Sequence, residues 1–73
     1  MHRYSRVEVR LDDVLKKRSR SRYWLAQQTG MTETHIGRIA NQRLTGIRYE
    51  TLAAICDVLD CEIADILKLV PNK

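Results

Sequence analysis

This 73-residue chain lacks the patterns on which several classes of protein depend. Its two cysteines are too few for a disulfide framework, and they do not combine with the two histidines into a set of metal ligands. No apolar run approaches membrane-spanning length, and the N-terminus lacks the apolar segment of a signal peptide. A glycine-rich phosphate loop and a supported catalytic set are also missing. We therefore expect no metal, cofactor, membrane segment or enzymatic activity, and free thiols fit a reducing cytoplasm.

What the chain does have is an uneven distribution of charge. Residues 1–48 hold 11 lysines and arginines against four acids, whereas residues 49–73 hold two against five. A basic half beside an acidic half favours one face for a polyanion and another for structure or a protein partner. Basicity by itself does not identify the polyanion as nucleic acid, so the motifs decide that question.

Hydrophobic periodicity divides the chain into one strand and five short helices. Residues 4–11 alternate, with Val7 and Val9 on one side, which predicts a strand. Helices are predicted over residues 11–18, 22–29, 33–41, 49–59 and 63–69, the last burying Ile63, Ile66 and Leu67. The predicted fold is a compact all-α domain of five helices with a short N-terminal strand. We divide it into an N-terminal arm (1–10), a helical domain (11–69) and a tail (70–73).

The predicted strand needs a partner, because a lone strand leaves its backbone groups unpaired. Two partners are open at this stage. One is the same strand in a second copy of the chain, which would make a dimer. The other is the run Lys68-Leu69-Val70 of the same chain.

The most specific pattern is RYWLAQQTGMTETHIGRIAN, residues 22–41, which predicts two short helices joined by a tight turn. Three apolar residues fall on the inward faces: Leu25, Ile36 and Ile39. Ala26 is small where the helices cross, and Gly30 permits the left-handed backbone that ends the first helix. Thr32 offers a side-chain oxygen that caps the second helix. This helix-turn-helix geometry is a route into the DNA major groove.

The order of the helices resembles the lambda-repressor/Cro-like (XRE-type) DNA-binding domains over residues 21 to 67. The matching motifs are SRYWLAQQTGM, TETHIGRIANQR and IRYETLAAICDVLDCEIADIL. The resemblance implies a lambda-repressor-like fold that binds double-stranded DNA with helix 33–41 in the major groove. It further implies a transcriptional repressor of the Cro-like kind, acting as a homodimer on a palindromic operator.

The candidate site residues fall into two sets on this resemblance. The base-reading set is Glu33, Thr34, His35 and Arg38. The phosphate-contacting set is Arg22, Thr32, Asn41, Arg43 and Arg48. Two positions depart from the family pattern, since Gln42 replaces a usual glycine after Asn41 and Ala40 replaces a common acidic residue.

Several of these residues, and the nearby Trp24, have an alternative interpretation. Arg38 can pair with the O6 and N7 edge of guanine, or it can be a solvated surface residue. Glu33 can accept from cytosine, or it can be an acid favoured at a helix N-terminus. His35 is as well explained as a surface residue, and Trp24 is better explained by packing than by stacking on single strands.

The rival function is an antitoxin or adaptor that binds a protein partner through the acidic fourth and fifth helices. The two functions can coexist, but an adaptor has no need to surround helix 33–41 with Arg22, Arg38 and Arg43. We infer no small-molecule effector, because the chain has no second domain to sense one. A nucleic-acid enzyme is disfavoured by the missing site residues.

Overall fold

The computed structural model describes residues 5–71, so Tyr4, which opens the predicted strand, lies outside the described residues. The elements follow in the order β1 (Arg6–Val9), α1 (Leu11–Lys17), α2 (Arg22–Thr29), α3 (Glu33–Ala40), α4 (Tyr49–Leu59), α5 (Ile63–Ile66) and β2 (Leu67–Val70). The prediction of five short helices is therefore confirmed. The structure adds a second strand, β2, which pairs with β1 in a two-stranded sheet.

The core is formed by the inward faces of all five helices. Its buried residues are Leu11, Val14, Leu15, Leu25, Ala26, Ile36, Ile39, Leu52, Ile55, Cys56, Leu59 and Ile66. Every short helix must bury apolar side chains in the core, because a domain of this size buries little surface in total. The inward positions predicted for the helix-turn-helix are confirmed, since Leu25, Ile36 and Ile39 are all buried.

The prediction that the last helix extends to residue 69 is wrong. α5 ends at Ile66, and Leu67 has an extended backbone with φ −112° and ψ 128°. The backbone N–H of Arg10 donates to the carbonyl of Ile66 at 2.6 Å, where the helix gives way to the strand. Ile63 is also 53% exposed instead of buried. Residues from Leu67 onward form a strand instead of a further helical turn because the strand provides hydrogen-bond partners for the backbone N–H and C=O groups of β1.

β1 pairs antiparallel with β2 of the same chain, which is the second of the two partners considered. The register places Arg6 opposite Val70 and Val9 opposite Leu67. Val70, assigned to a tail from the sequence, therefore belongs to the sheet. The pairing ties the start of the described chain to its end.

The departure at Gln42 does not change how the chain leaves α3. Gln42 itself adopts the left-handed conformation, with φ 60°, that a glycine would adopt there. The N–H of Arg43 donates to the carbonyl of Arg38 at 2.9 Å, closing the helix end in the usual way. The side-chain Oε1 of Gln42 accepts the N–H of Val9 at 3.2 Å and so connects the end of α3 to β1.

Two arginines in the connection between α1 and α2 have structural contacts. Arg18 donates from Nε to the carbonyl of Leu59 at 2.8 Å and from Nη2 to that of Asp60 at 2.7 Å, capping the end of α4. The guanidinium of Arg20 lies 4.3 Å from the ring centroid of Trp24. Trp24 is half-buried against the core, which confirms that it packs.

Within residues 5–71, the helices are all too short to cross a bilayer.

Candidate nucleic-acid interface

Local hydrogen bonds define the ends of α2 and α3. The hydroxyl of Ser21 accepts the N–H of Trp24 at 3.0 Å, and that of Thr32 accepts the N–H of His35 at 3.0 Å. Gly30 has φ 76°, which is the left-handed conformation predicted for it. The Thr29 hydroxyl donates to the carbonyl of Leu25 at 2.8 Å, within the last turn of α2. The turn is therefore held by residues of the motif itself.

The outward face of α3 is set by its two buried residues. Ile36 and Ile39 point into the core, and at 100° per residue the opposite direction is taken by Thr34, Gly37 and Arg38. Thr34 and Arg38 are exposed on this face. The sequence therefore presents one short polar side chain and one long cation where a groove could receive them.

The remaining base-reading candidates lie at the edges of that face. Glu33 is exposed at the first position of α3, where the helix dipole also favours an acid. His35 is only partly exposed and lies nearer the core than Thr34 or Arg38. Its position weakens the case for a direct base contact.

Arg22 connects three helices on the outward surface. Its Nε donates to Asp12 Oδ1 at 2.9 Å and its Nη2 to Asp12 Oδ2 at 2.5 Å, so that α1 and α2 are joined. Nη2 also donates to the side-chain oxygen of Asn41 at 3.1 Å, just beyond the end of α3. Its Nη1 lies 3.6 Å from the point that a Cβ on Gly37 would occupy. The guanidinium of Arg22 therefore lies over the last turn of α3, between Gly37 and Asn41.

The ion pair changes the acidity of its carboxylate. Hydrogen bonding to the Arg22 guanidinium holds the pKa of Asp12 below its ordinary value of 3.8, although partial burial opposes the shift. Asp12 is thus charged at neutral pH, and it balances part of the positive charge of Arg22. The side chains are 53% and 32% exposed, respectively, so water weakens the attraction between them.

The other phosphate candidates follow α3 along the chain. Asn41 ends the helix, and Arg43 and Arg48 are exposed in the connection to α4. Thr32 is used as the cap of α3. The structure brings Arg22 and Asn41 into contact, whereas Arg43 and Arg48 are near this surface only in sequence.

Sequence reasoning missed two members of this surface, Asp12 and Gly37. In the sequence, Asp12 is an acid in the first turn of α1, where the helix dipole alone accounts for it, and its partner is ten residues away on another helix. Gly37 carries no chemistry, and its importance lies in the space it leaves for Arg22. A glycine at a solvent-facing helical position, where alanine is preferred, was the available signal.

Several known proteins are similar to this chain in sequence or fold. An uncharacterized HTH-type transcriptional regulator of Bacillus subtilis (strain 168), YozG, is 35% identical over 62 residues, which cover 85% of this chain and 74% of YozG. Two crystal structures share the fold at 22% identity. One, of a protein from Bacteroides fragilis named for DNA binding, has a TM-score of 0.77 and covers 86% of this chain and 100% of its own. The other, of the transcriptional regulator VanUg, has a TM-score of 0.74 over 93% and 89%.

The family assignment follows from a match that spans most of the chain. The model of the Cro/C1-type HTH DNA-binding domain matches residues 10–72, which include all five helices and β2. This match confirms the resemblance first seen in residues 21 to 67. The chain belongs to the Cro/C1-type helix-turn-helix DNA-binding family.

Proposed function

We propose that this protein is a sequence-specific transcriptional repressor that reads double-stranded DNA with α3 in the major groove. The observation that carries the proposal is the outward face of α3. Thr34 and Arg38 are exposed on this face, and the guanidinium of Arg22 contacts Asn41 at the end of the helix. A helix whose apolar side is buried and whose polar side projects can enter the groove while α2 crosses the backbone. The names of YozG and VanUg, both transcriptional regulators, support regulation as the purpose of binding.

The base-reading and phosphate-contacting residues have different tasks in this proposal. Arg38 offers two parallel N–H groups to a guanine, and Thr34 a hydroxyl and a methyl group to a neighbouring base pair. Glu33 disfavours base pairs that place a hydrogen-bond acceptor near it. The backbone contacts come from Arg22, Thr32, Asn41, Arg43 and Arg48, which fix register without reading sequence.

Selection of bound sequences from a pool of random duplexes tests this proposal. We expect a defined motif that contains a guanine at the position read by Arg38. Enrichment of no sequence would contradict specific recognition. Recovery of protein partners without any DNA preference would instead favour the antitoxin or adaptor function.

The salt dependence of binding tests the phosphate set. Arg43→Ala should weaken binding to all duplexes alike and reduce the salt slope by about one ion, because one phosphate contact is lost. Lys17→Ala is the matched control, since Lys17 is an exposed cation on α1 outside the α2–α3 surface. Equal slopes for Arg43→Ala and the parent would remove Arg43 from the interface.

We also propose that the protein acts as a homodimer on a palindromic operator. One such helix reads only a few base pairs, whereas two copies about 34 to 36 Å apart meet successive major grooves on one side of the duplex. The surface for pairing is the apolar side of the sheet, formed by Val7, Val9, Leu67 and Leu69. Val7 lies opposite Leu69 and Val9 opposite Leu67, so all four share one side.

Exposure supports this choice of surface. Val9 and Leu67 pack against the core, but Val7 is 57% and Leu69 74% exposed where the sheet extends beyond the helices. A second copy related by a two-fold axis would cover each exposed pair with the equivalent pair. The same patch therefore serves both partners.

Sedimentation of two matched variants tests whether the dimer forms through this surface or through α5. Leu69→Glu places a charge in the apolar side of the sheet, and Ile63→Glu places one at the exposed start of α5. We expect Leu69→Glu to be a folded monomer and Ile63→Glu to remain a dimer at micromolar concentration. The opposite result would assign the dimer to α5, and a monomeric parent protein would contradict the dimer altogether.

In this proposal the protein represses transcription by occupying a promoter and excluding polymerase. It acts in the cytoplasm, where the DNA is. Cys56 and Cys61 are free thiols, which fits that reducing compartment. A reporter promoter that contains the selected motif should lose expression when the protein is supplied. Increased expression would show activation instead.

A further inference from the structure

We propose that Asp12, an acidic residue on the DNA-binding side of the protein, strengthens DNA binding by orienting Arg22. The inference rests on the proposed function, in which Arg22 contacts a phosphate. It assigns a positioning role to a residue of α1 that lies outside the helix-turn-helix. The sign is unexpected, because a carboxylate near DNA ordinarily repels the phosphates.

The contacts of Arg22 leave one part of its guanidinium for DNA. Asp12 occupies Nε and Nη2, with distances of 2.9 and 2.5 Å, and Asn41 accepts a second bond from Nη2 at 3.1 Å. Among residues 5–71, Nη1 has no hydrogen-bond acceptor. A two-point bond to a carboxylate fixes the plane of a guanidinium, which a single contact to Asn41 would not do.

The direction of that free group is shown by its neighbour on α3. Nη1 lies 3.6 Å from the point where a Cβ on Gly37 would stand. A Cβ at that position would project outward, since Ile36 and Ile39 take the inward directions of the helix. The free N–H groups of Arg22 are therefore held on the outward surface of α3, in the region that approaches DNA.

Two opposing effects of the Asp12 carboxylate can be compared in size. With the dielectric constant of water and screening by physiological salt, repulsion of a phosphate about 6 Å away weakens binding by about two- to threefold. Ordering one flexible side chain before binding strengthens it by about two- to tenfold. Because the adjacent positive charge of Arg22 offsets part of the repulsion from Asp12, we expect the ordering effect to dominate.

Asp13 makes a matched control available in the same helix turn. Asp13 carries the same charge in the first turn of α1 and is likewise exposed, but it lines a cavity with Lys17 and Lys68 and does not pair with Arg22. Asp12→Ala and Asp13→Ala therefore make the same change in net charge and in the helix dipole. They differ in whether Arg22 loses its partner.

The test measures binding of four variants to a mixed-sequence duplex of about 20 base pairs, long enough for two successive major grooves. The variants are Asp12→Ala, Asp13→Ala, Arg22→Ala and the double variant Asp12→Ala/Arg22→Ala. We expect Asp12→Ala to weaken binding about two- to tenfold, and Asp13→Ala to leave it unchanged or slightly tighter. In the Arg22→Ala background, Asp12→Ala should no longer weaken binding. Thermal melting of each variant checks that the fold is retained.

In variants that keep the fold, loss of the Asp12→Ala effect in the Arg22→Ala background shows that Asp12 acts on DNA through Arg22. If Asp12→Ala binds as tightly as Asp13→Ala while Arg22→Ala binds weakly, Asp12 does not position Arg22, and the proposed phosphate contact stands alone. If Arg22→Ala binds like the parent, the phosphate contact itself is wrong and the role of Asp12 fails with it. If Asp12→Ala weakens binding equally in both backgrounds, its effect does not pass through Arg22.

Discussion

The side chain of Gln42, at the end of α3, accepts a hydrogen bond from the backbone of Val9, 33 residues earlier in the chain. The same residue holds a left-handed backbone at φ 60°. A residue with a β-carbon is disfavoured there, whereas glycine is not. Gln42 thus has an unfavourable backbone conformation, but its side chain makes a contact that joins the end of α3 to the sheet.

This exchange predicts different outcomes for two small substitutions. Gln42→Ala loses the bond to Val9 and keeps the disfavoured backbone, so it should lower the free energy of unfolding by about 0.5 to 1 kcal/mol. Gln42→Gly loses the same bond but relieves the backbone, and it should be about 1 kcal/mol more stable than the alanine variant. Urea unfolding measures both. Equal stabilities would show that the left-handed conformation carries no penalty at this position.

Gly37 should accept a methyl group but no larger side chain. A Cβ there would stand 3.6 Å from Arg22 Nη1, an ordinary contact, so Gly37→Ala should stabilise α3 by about 0.5 to 1 kcal/mol. Gly37→Leu should displace the guanidinium and weaken binding to mixed-sequence DNA about as much as Arg22→Ala does. Leucine binding like the parent would mean that Arg22 has no need of this space.

Arg38 should contribute to the choice of sequence more than to general affinity. Arg38→Ala should weaken binding to the selected site by about 1 to 3 kcal/mol and relax the preference at one base pair. Arg38→Lys, the charge-preserving control, should bind mixed-sequence DNA like the parent while losing the same preference, because lysine lacks the planar fork. Equal losses on selected and mixed duplexes would assign Arg38 to the backbone.

The Asp12 carboxyl should titrate below pH 3.8 in the folded protein. Its depressed pKa means that the ion pair stabilises the fold above the unfolded pKa, and that this contribution is lost as the pH falls through the folded value. Carboxyl-detected NMR titration should show the pKa rising in Arg22→Ala. A pKa that does not respond to the loss of Arg22 would show that the pair is absent in solution.

The thiol of Cys61 should be slow to alkylate at neutral pH. Partial burial raises its pKa to about 11, with further contributions from the neighbouring Cys56, and the thiolate is the reactive form. When mass spectrometry separates the two alkylated peptides, the alkylation rate at Cys61 should rise about tenfold per pH unit between pH 8 and pH 10. A rate that levels off near pH 9 would indicate an ordinary, solvated thiol.

Much of the fold was predictable because the relevant interactions are local. The caps Ser21 and Thr32 bond to residues three positions on, and Gly30 ends its own helix. The buried faces of α1 to α4 repeat at helical spacing, so apolar residues three and four apart mark them directly. The geometry of the helix-turn-helix, and with it the family, could therefore be predicted from the motif alone.

The end of the chain was predicted wrongly because its structure depends on a distant partner. DILKLV has apolar residues that fit a helix as well as a strand, and only the presence of β1 decides for the strand from Leu67 onward. The exposure of Ile63 follows from the same change, since the short α5 turns a single residue, Ile66, into the core.

The amino-acid sequence by itself determined the helix-turn-helix, its caps, its inward face and the basic residues around it, because each rests on contacts within a few positions of the chain. Only the tertiary structure decided that β1 pairs within the chain, that Gln42 joins α3 to the sheet, and that Arg22 lies across Gly37 with Asp12 as its partner. These contacts join residues 10 or more positions apart, and no local pattern specifies which side chains meet when short helices pack around one small core.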